Sequence, residues 1–174
     1  VQQFWHSPTI AKQVGLKAVD LFEAVESGKI KAIWIMATNP VVSLPNADQV
    51  KRALEKCEFV VVSDICLDTD TTQYADVLLP ALGWGEKDGT VTNSERRISR
   101  QRAFLDIPEQ AQADWWSVSQ VAKKLGFQGF DFESSHDIFK EHAQLSAYQN
   151  AEIDLRSSTE TFRYFNLAGL TNLS

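Results

Sequence analysis

Helical and strand-like apolar patterns alternate along the first half of the chain. Ala18, Leu21, Phe22 and Val25 recur at i, i+3, i+4 and i+7, the spacing of one helix face, and Gly28 follows as a stop. Lys31 to Ala37 is a short apolar run containing Ile and Trp, and it predicts a buried strand broken by Thr38-Asn39-Pro40. A second helix is expected to begin near Asn46, with Gln49 three residues on in a capping-box-like arrangement. Its apolar stripe is Val50, Ala53, Leu54 and Cys57. Phe59 to Ser63 predicts a second strand ending at Asp64, and the polar stretch Asp68 to Gln73 predicts the start of a short helix. Val77-Leu78-Leu79 predicts a third buried strand, closed by Pro80.

Strands that are apolar throughout and alternate with helices predict an α/β fold: a Rossmann-like parallel sheet half-domain with helices on both faces. No GxGxxG is present, which separates it from the usual NAD-binding unit. Beyond Pro80 the character changes. Gly83, Gly85 and Gly89 punctuate Trp84, Glu86, Lys87 and Asp88; Thr90 to Asn93 and Arg96 to Arg102 then read as a small antiparallel element. Val118, Val121, Ala122 and Leu125 mark a further helix stopped by Gly126, opening a helical and irregular C-terminal part. The expected parts are 1–82, 83–112 and 113–174. Phe130, Phe132, Phe139, Leu145, Phe162, Tyr164 and Phe165 are too many large apolar residues for a free tail.

Composition narrows the function. Of the 174 residues, 44 % are hydrophobic and 23 % charged, with a net charge of −6, so the chain can bury a core. The acidic balance argues against a nucleic-acid or membrane-surface partner. No apolar run reaches the length of a membrane span. The start, Val1-Gln2-Gln3-Phe4-Trp5, has neither a basic n-region nor an initiating Met and reads as a cut edge rather than a signal peptide. Cys57 and Cys66 lie nine apart inside apolar runs, outside any zinc spacing. They read as two buried reduced thiols, in keeping with a cytoplasmic location.

Ligands of doubly wound sheets sit at the carboxyl ends of the strands. Three turns of this chain fall there: Thr38-Asn39-Pro40, Ser63-Asp64 and Pro80-Ala81. Asn39 carries a donor and an acceptor, and Asp64 can accept two bonds side by side, as a guanine edge or a ribose diol requires. Spacing alone favours the plainer reading, in which both satisfy turns or cap helices. Lys87 could meet a phosphate or pterin oxygen, although a solvated hairpin lysine is the commoner case. Asp114 reads by default as the N-cap of the helix beginning Trp115-Trp116. Arg96, Arg97, Arg100 and Arg102 are expected to pair with Glu86, Asp88 and Glu95. His6, His136 and His142 show no ligand spacing. No GxSxG, HExxH or P-loop occurs, so the residues describe a nucleotide-binding half without visible catalytic groups.

From Ala37 to Phe104 the run ATNPVVSLPNADQVKRALEKCEFVVVSDICLDTDTTQYADVLLPALGWGEKDGTVTNSERRISRQRAF closely resembles the molybdopterin oxidoreductase family. The TNP turn, the VVSD strand end, ADVLLP and WGEKDGTVTNSERR are weak singly and specific in this order and spacing. The flanks GLKAVDLFEAVESGKIKAIWIMATNP and EHAQLSAYQN look like the bacterial assimilatory nitrate reductase branch, with formate dehydrogenases and periplasmic nitrate reductases as the relatives to weigh against it.

The resemblance implies molybdenum held by two molybdopterin guanine dinucleotides, and a 4Fe-4S cluster in the intact subunit but not in this chain. It implies nitrate as substrate, an electron-donor protein or reductase subunit, and the remaining domains of a parent subunit as partners. It implies that Asn39, Ser63, Asp64, Lys87 and Asp114 contact the dinucleotide, with Ser43 as a further candidate, and that the excised chain is inactive. The family usually shows Pro-Gly-Glu-Ala before the last acid, whereas this chain has Pro108-Glu109-Gln110-Ala111, without the glycine. A stand-alone nucleotide-binding module is the reading from another class.

Overall fold

A computed structural model describes residues 1–148. These fall into two compact units. One comprises 11–87 and 103–121; the other comprises 1–10, 88–102 and the described residues from 122 onward.

The first unit carries the parallel sheet, in the order β1-β2-β3, from Ala32–Met36, Phe59–Asp64 and Val77–Pro80. Ile33 pairs with Val60 and Ile35 with Val62, while Val62 pairs with Leu78 and Asp64 with Pro80, every pair parallel. The sheet is flanked by helices, as the alternating pattern predicts: α1 (Ala18–Glu26), the short α2 (Pro40–Ser43) and α3 (Ala47–Lys56). Phe22 and Val25 of α1 and Val50, Ala53 and Leu54 of α3 bury their stripes in one core with Ile35, Val41, Val60 and Val62. Val25, Ala53 and Val62 are fully buried. The predicted cap is present: Asn46 Oδ1 accepts from Gln49 N at 3.2 Å at the start of α3.

Three expectations about burial need correction. In β1 only Ile35 is buried, Ala32 being exposed and Ile33, Trp34 and Met36 half-buried. The third strand forms where predicted, but Val77 and Leu78 are each 37 % exposed, because β3 has a ladder partner on one side only. Cys66 is exposed and Cys57 only half-buried: Cys66 follows the end of β2 by two residues, and Cys57 is the last cap position of α3. The apolar runs that contain them continue past the ends of their elements, so the run does not imply burial.

In the second unit, β4 (Gly89–Thr92) and β5 (Ile98–Gln101) pair antiparallel, Gly89 with Gln101 and Thr92 with Ile98. The hairpin turns at Asn93, whose Oδ1 accepts from Arg97 N at 2.9 Å. α4 spans Asp114–Lys124, its residues 114–121 belonging to the first unit; α5, in the second, spans Ser135–Ala147, with Ser134 accepting from Asp137 N as its N-cap. No helix among the described residues is long and apolar enough to cross a membrane. Phe162, Tyr164 and Phe165 lie outside the described residues.

Candidate functional site

In the first unit every predicted site residue lies at or beyond the carboxyl end of a parallel strand. β1 ends at Met36, paired with Ser63. Ala37 then takes a left-handed backbone, φ 54°, while its N–H still donates to the Ser63 carbonyl at 3.1 Å. A non-glycine residue in that conformation costs about 1–2 kcal/mol, and such strain collects where a loop must be aimed. The turn delivers Asn39, half-buried, to the start of α2.

Asn39 is the N-cap position of α2, but its side chain does not cap. Its Oδ1 accepts the Thr71 hydroxyl at 2.6 Å instead. Thr71 is completely buried and also accepts from Val41 N at 3.3 Å. Ser43 is exposed at the end of α2, held through its backbone N–H by the Asn39 carbonyl at 2.9 Å.

At the end of β2, Ser63 and Asp64 do different things. Ser63 is buried, and its hydroxyl accepts from the Trp34 indole N–H at 2.8 Å. Strand alternation puts Trp34, Val61 and Ser63 on the sheet face opposite Ile35, Val60 and Val62. Ser63 is thus turned onto the sheet rather than past its edge. Asp64 Oδ1 accepts from Cys66 N at 3.0 Å, an Asx turn. The other carboxylate oxygen accepts no hydrogen bond from a described residue.

At the end of β3 the chain is joined by a later segment. Gln112 N donates to the Pro80 carbonyl at 3.0 Å, Leu82 N donates to the Gln112 carbonyl at 3.2 Å, and Ala81 bridges Gln112 in parallel. This places Asp114, the first residue of α4, beside the third strand end. Lys87 Nζ lies 3.5 Å from Asp114 Oδ2, each side chain one-third exposed (33 %). Asp114 Oδ1, by contrast, is buried and has no hydrogen-bond partner among the described residues. It does not cap α4, so the default reading of this acid does not hold. The glycine-free loop before it closes readily: Ala111 N donates to the Pro108 carbonyl at 3.0 Å, and neither Glu109 nor Gln110 has a positive φ.

The sheet edge therefore presents an amide at β1, a carboxylate at β2 and a lysine–carboxylate pair at β3. This mixture of donors and acceptors suits a polar, partly anionic ligand laid across three strand ends. The buried, unpartnered Asp114 Oδ1 calls for a donor, which fits a nucleobase or ribose. Two residues central to this geometry, Thr71 and Gln112, escape sequence reasoning. Only the Thr-rich stretch Thr69, Thr71, Thr72 hints at the first.

Comparison with known proteins bears on the family and the fold. The family model described as molybdopterin oxidoreductase matches residues 1–124. A protein named nitrate reductase from Shewanella frigidimarina is 56 % identical over 171 residues, covering 98 % of this chain and 18 % of that protein. A nitrate reductase from Klebsiella oxytoca is 50 % identical over 173 residues, 99 % of this chain and 19 % of the relative. An F420-dependent formate dehydrogenase subunit alpha from Methanocaldococcus jannaschii is 41 % identical over 142 residues, 80 % of this chain and 20 % of the relative. The chain thus spans about a fifth of the length of these relatives. Among solved structures, acetylene hydratase from Pelobacter acetylenicus shares the fold, with a TM-score of 0.62 at 21 % identity over 71 % of this chain and 18 % of that one.

Proposed function

The chain belongs to the molybdopterin oxidoreductase family, and from that membership we propose that it is an internal segment of the catalytic subunit of a nitrate reductase. Membership implies a molybdenum–pterin cofactor. In the proposal the cofactor is the bis(guanine dinucleotide) form, and this segment grips one dinucleotide along the strand ends.

The buried Asp114 Oδ1, without a donor among the described residues, carries the site assignment: such an oxygen is costly until a donor reaches it, and its place at the end of β3 favours a ligand as that donor. Asp64, with one oxygen committed to its own turn, offers a second acceptor. Asn39 offers an amide, and Lys87 a charge that steadies Asp114 and faces ligand oxygens. Ser63 supports the end of β2 from within the sheet, and Ser43 lies at the exposed rim. When bound, the cofactor supplies two-electron oxygen-atom chemistry at its metal, and the residues named here bind and orient it.

Nitrate as substrate rests on the 56 % and 50 % identity to the two nitrate reductases, against 41 % over a shorter span for the formate dehydrogenase. The proposal extends to nitrate assimilation in the cytoplasm, an electron-donor protein or reductase subunit, an iron–sulfur cluster elsewhere in the subunit and the subunit's remaining domains as partners. Coverage of about a fifth of each relative disfavours a stand-alone nucleotide-binding module. The test is turnover by the full-length subunit with a reduced viologen dye. Nitrate reduction is expected, with none by the 174 residues alone. Formate oxidation with the oxidised dye as electron acceptor, without nitrate reduction by the reduced dye, would transfer the segment to the second branch.

A further inference from the structure

We propose that Thr71 is a positioning residue. It holds the Asn39 amide oxygen toward itself and turns the amide NH2 away, so that this point of the site engages a hydrogen-bond acceptor on the cofactor. The inference rests on the reading of the strand ends as a dinucleotide site.

A short helix that begins Pro40-Val41-Val42 needs its first free N–H groups satisfied, and the N-cap side chain ordinarily does this by accepting from the second or third residue. Pro40 has no N–H. The Val41 N–H is accepted by Thr71 Oγ1 at 3.3 Å, from thirty residues further along the chain. Thr71 therefore does the capping that Asn39 would otherwise do, and the Asn39 side chain is released from it.

The same hydroxyl then fixes which way the amide faces. Thr71 is fully buried, and its one hydroxyl hydrogen needs an acceptor. Asn39 Oδ1 provides it at 2.6 Å. Were the amide turned over, its NH2 would face a hydroxyl already accepting from Val41, and the buried hydroxyl hydrogen would be left facing another donor. One orientation is thereby selected, and it leaves Nδ2 with no described partner. A group that can only donate recognises a ligand oxygen or an unprotonated ring nitrogen; it does not recognise an N–H edge. The donor-seeking carboxylates at the other two strand ends are its complement, so the site's polarity reverses along the edge.

Four variants of the full-length subunit test this: Asn39→Ala, Asn39→Asp, Thr71→Val and Thr71→Ser. The readouts are the rate of molybdenum and guanine loss in dilute urea and the thermal midpoint of the cofactor-free protein. Asn39→Asp keeps an acceptor for Thr71 but loses the donor. It is expected to lose cofactor about three- to tenfold faster while keeping the cofactor-free midpoint; Asn39→Ala is expected to lose cofactor as fast and to lower that midpoint, because the buried Thr71 hydroxyl loses its acceptor. Thr71→Val is expected to show the same faster loss, and Thr71→Ser is expected to restore wild-type retention. If Asn39→Ala speeds the loss and Thr71→Val does not, the positioning role is overturned while the site stands. If Asn39→Asp retains cofactor as wild type does, the donor assignment is overturned, and this arm decides the matter even if Thr71→Val fails to fold. If Asn39→Ala has no effect on retention, Asn39 lies outside the site and the inference falls with that reading.

Discussion

Asp76 and Val60 are joined twice: the Asp76 N–H donates to the Val60 carbonyl at 2.9 Å, and the Val60 N–H donates to Asp76 Oδ2 at 2.7 Å. The pair sits one residue before the β2–β3 ladder begins at Val61 and Val77. The acid of the ADVLLP motif is thus a clamp at the start of the sheet, far from its ligand edge. Asp76→Ala would leave the N–H of the nearly fully buried Val60 without an acceptor. It is expected to cost about 1–3 kcal/mol in urea unfolding, with Asp76→Asn, which keeps an acceptor, losing less. A wild-type midpoint for the alanine variant would remove the clamp.

Gly28 ends α1 with φ at +74°, its N–H donating to the Val25 carbonyl at 2.9 Å. A Cβ added there would meet nothing within 4 Å. The penalty for Gly28→Ala is therefore one of backbone conformation alone, about 1 kcal/mol, and Gly28→Asn should cost less because Asn tolerates the left-handed region. Thermal midpoints of the two variants check the order; equal midpoints for alanine and wild type would contradict it.

Arg52 Nε donates to Glu26 Oε1 at 2.9 Å, tying α3 to the end of α1, with Lys56 Nζ 3.8 Å from the same oxygen. The Arg52 hydrogen bond is the main cause holding the Glu26 carboxyl below its ordinary range. The folded value is depressed, so the unfolded chain binds more protons between the two values. The stabilisation is complete above the ordinary carboxyl value of the unfolded chain and is lost as pH falls through the folded value. Glu26→Gln should therefore flatten the acid limb of a stability–pH curve and leave its slope near neutrality unchanged. An acid limb identical to wild type would show that the pair contributes nothing there.

The strands, the α3 stripe and the Asn46 cap were legible because each depends on neighbours within a few residues. Asn39, Asp64 and Asp114 were legible only as positions at strand or helix ends, where capping and ligand binding predict the same residue types. What separates the two is a partner distant in sequence. Thr71 takes over the cap of α2 from thirty residues away, and Gln112 carries Asp114 to the end of β3. The exposure of β3 was illegible for a related reason: an apolar run reads alike in a central strand and in one with a single ladder partner.

Asp114 offers the sharpest separation of binding from structure. If the acid served α4 as an N-cap, replacing it with alanine would cost about 0.5–2 kcal/mol and leave cofactor retention alone. The geometry predicts the opposite pattern. Asp114→Ala gives up a favourable acid in the first helical turn, about 0.3–1 kcal/mol, and a half-open pair with Lys87 worth about 0–1 kcal/mol. It also removes a buried carboxylate oxygen that has no donor among the described residues, a defect costing about 1–3 kcal/mol in the cofactor-free protein. These terms nearly cancel, so the cofactor-free thermal midpoint should hold or rise. With the cofactor bound, the same oxygen accepts a charge-assisted bond worth about 1.5–3 kcal/mol, so its loss should speed molybdenum and guanine release at least tenfold. Both quantities can be measured on one preparation of the full-length subunit. A lowered midpoint with unchanged release would make Asp114 a helix residue and nothing more.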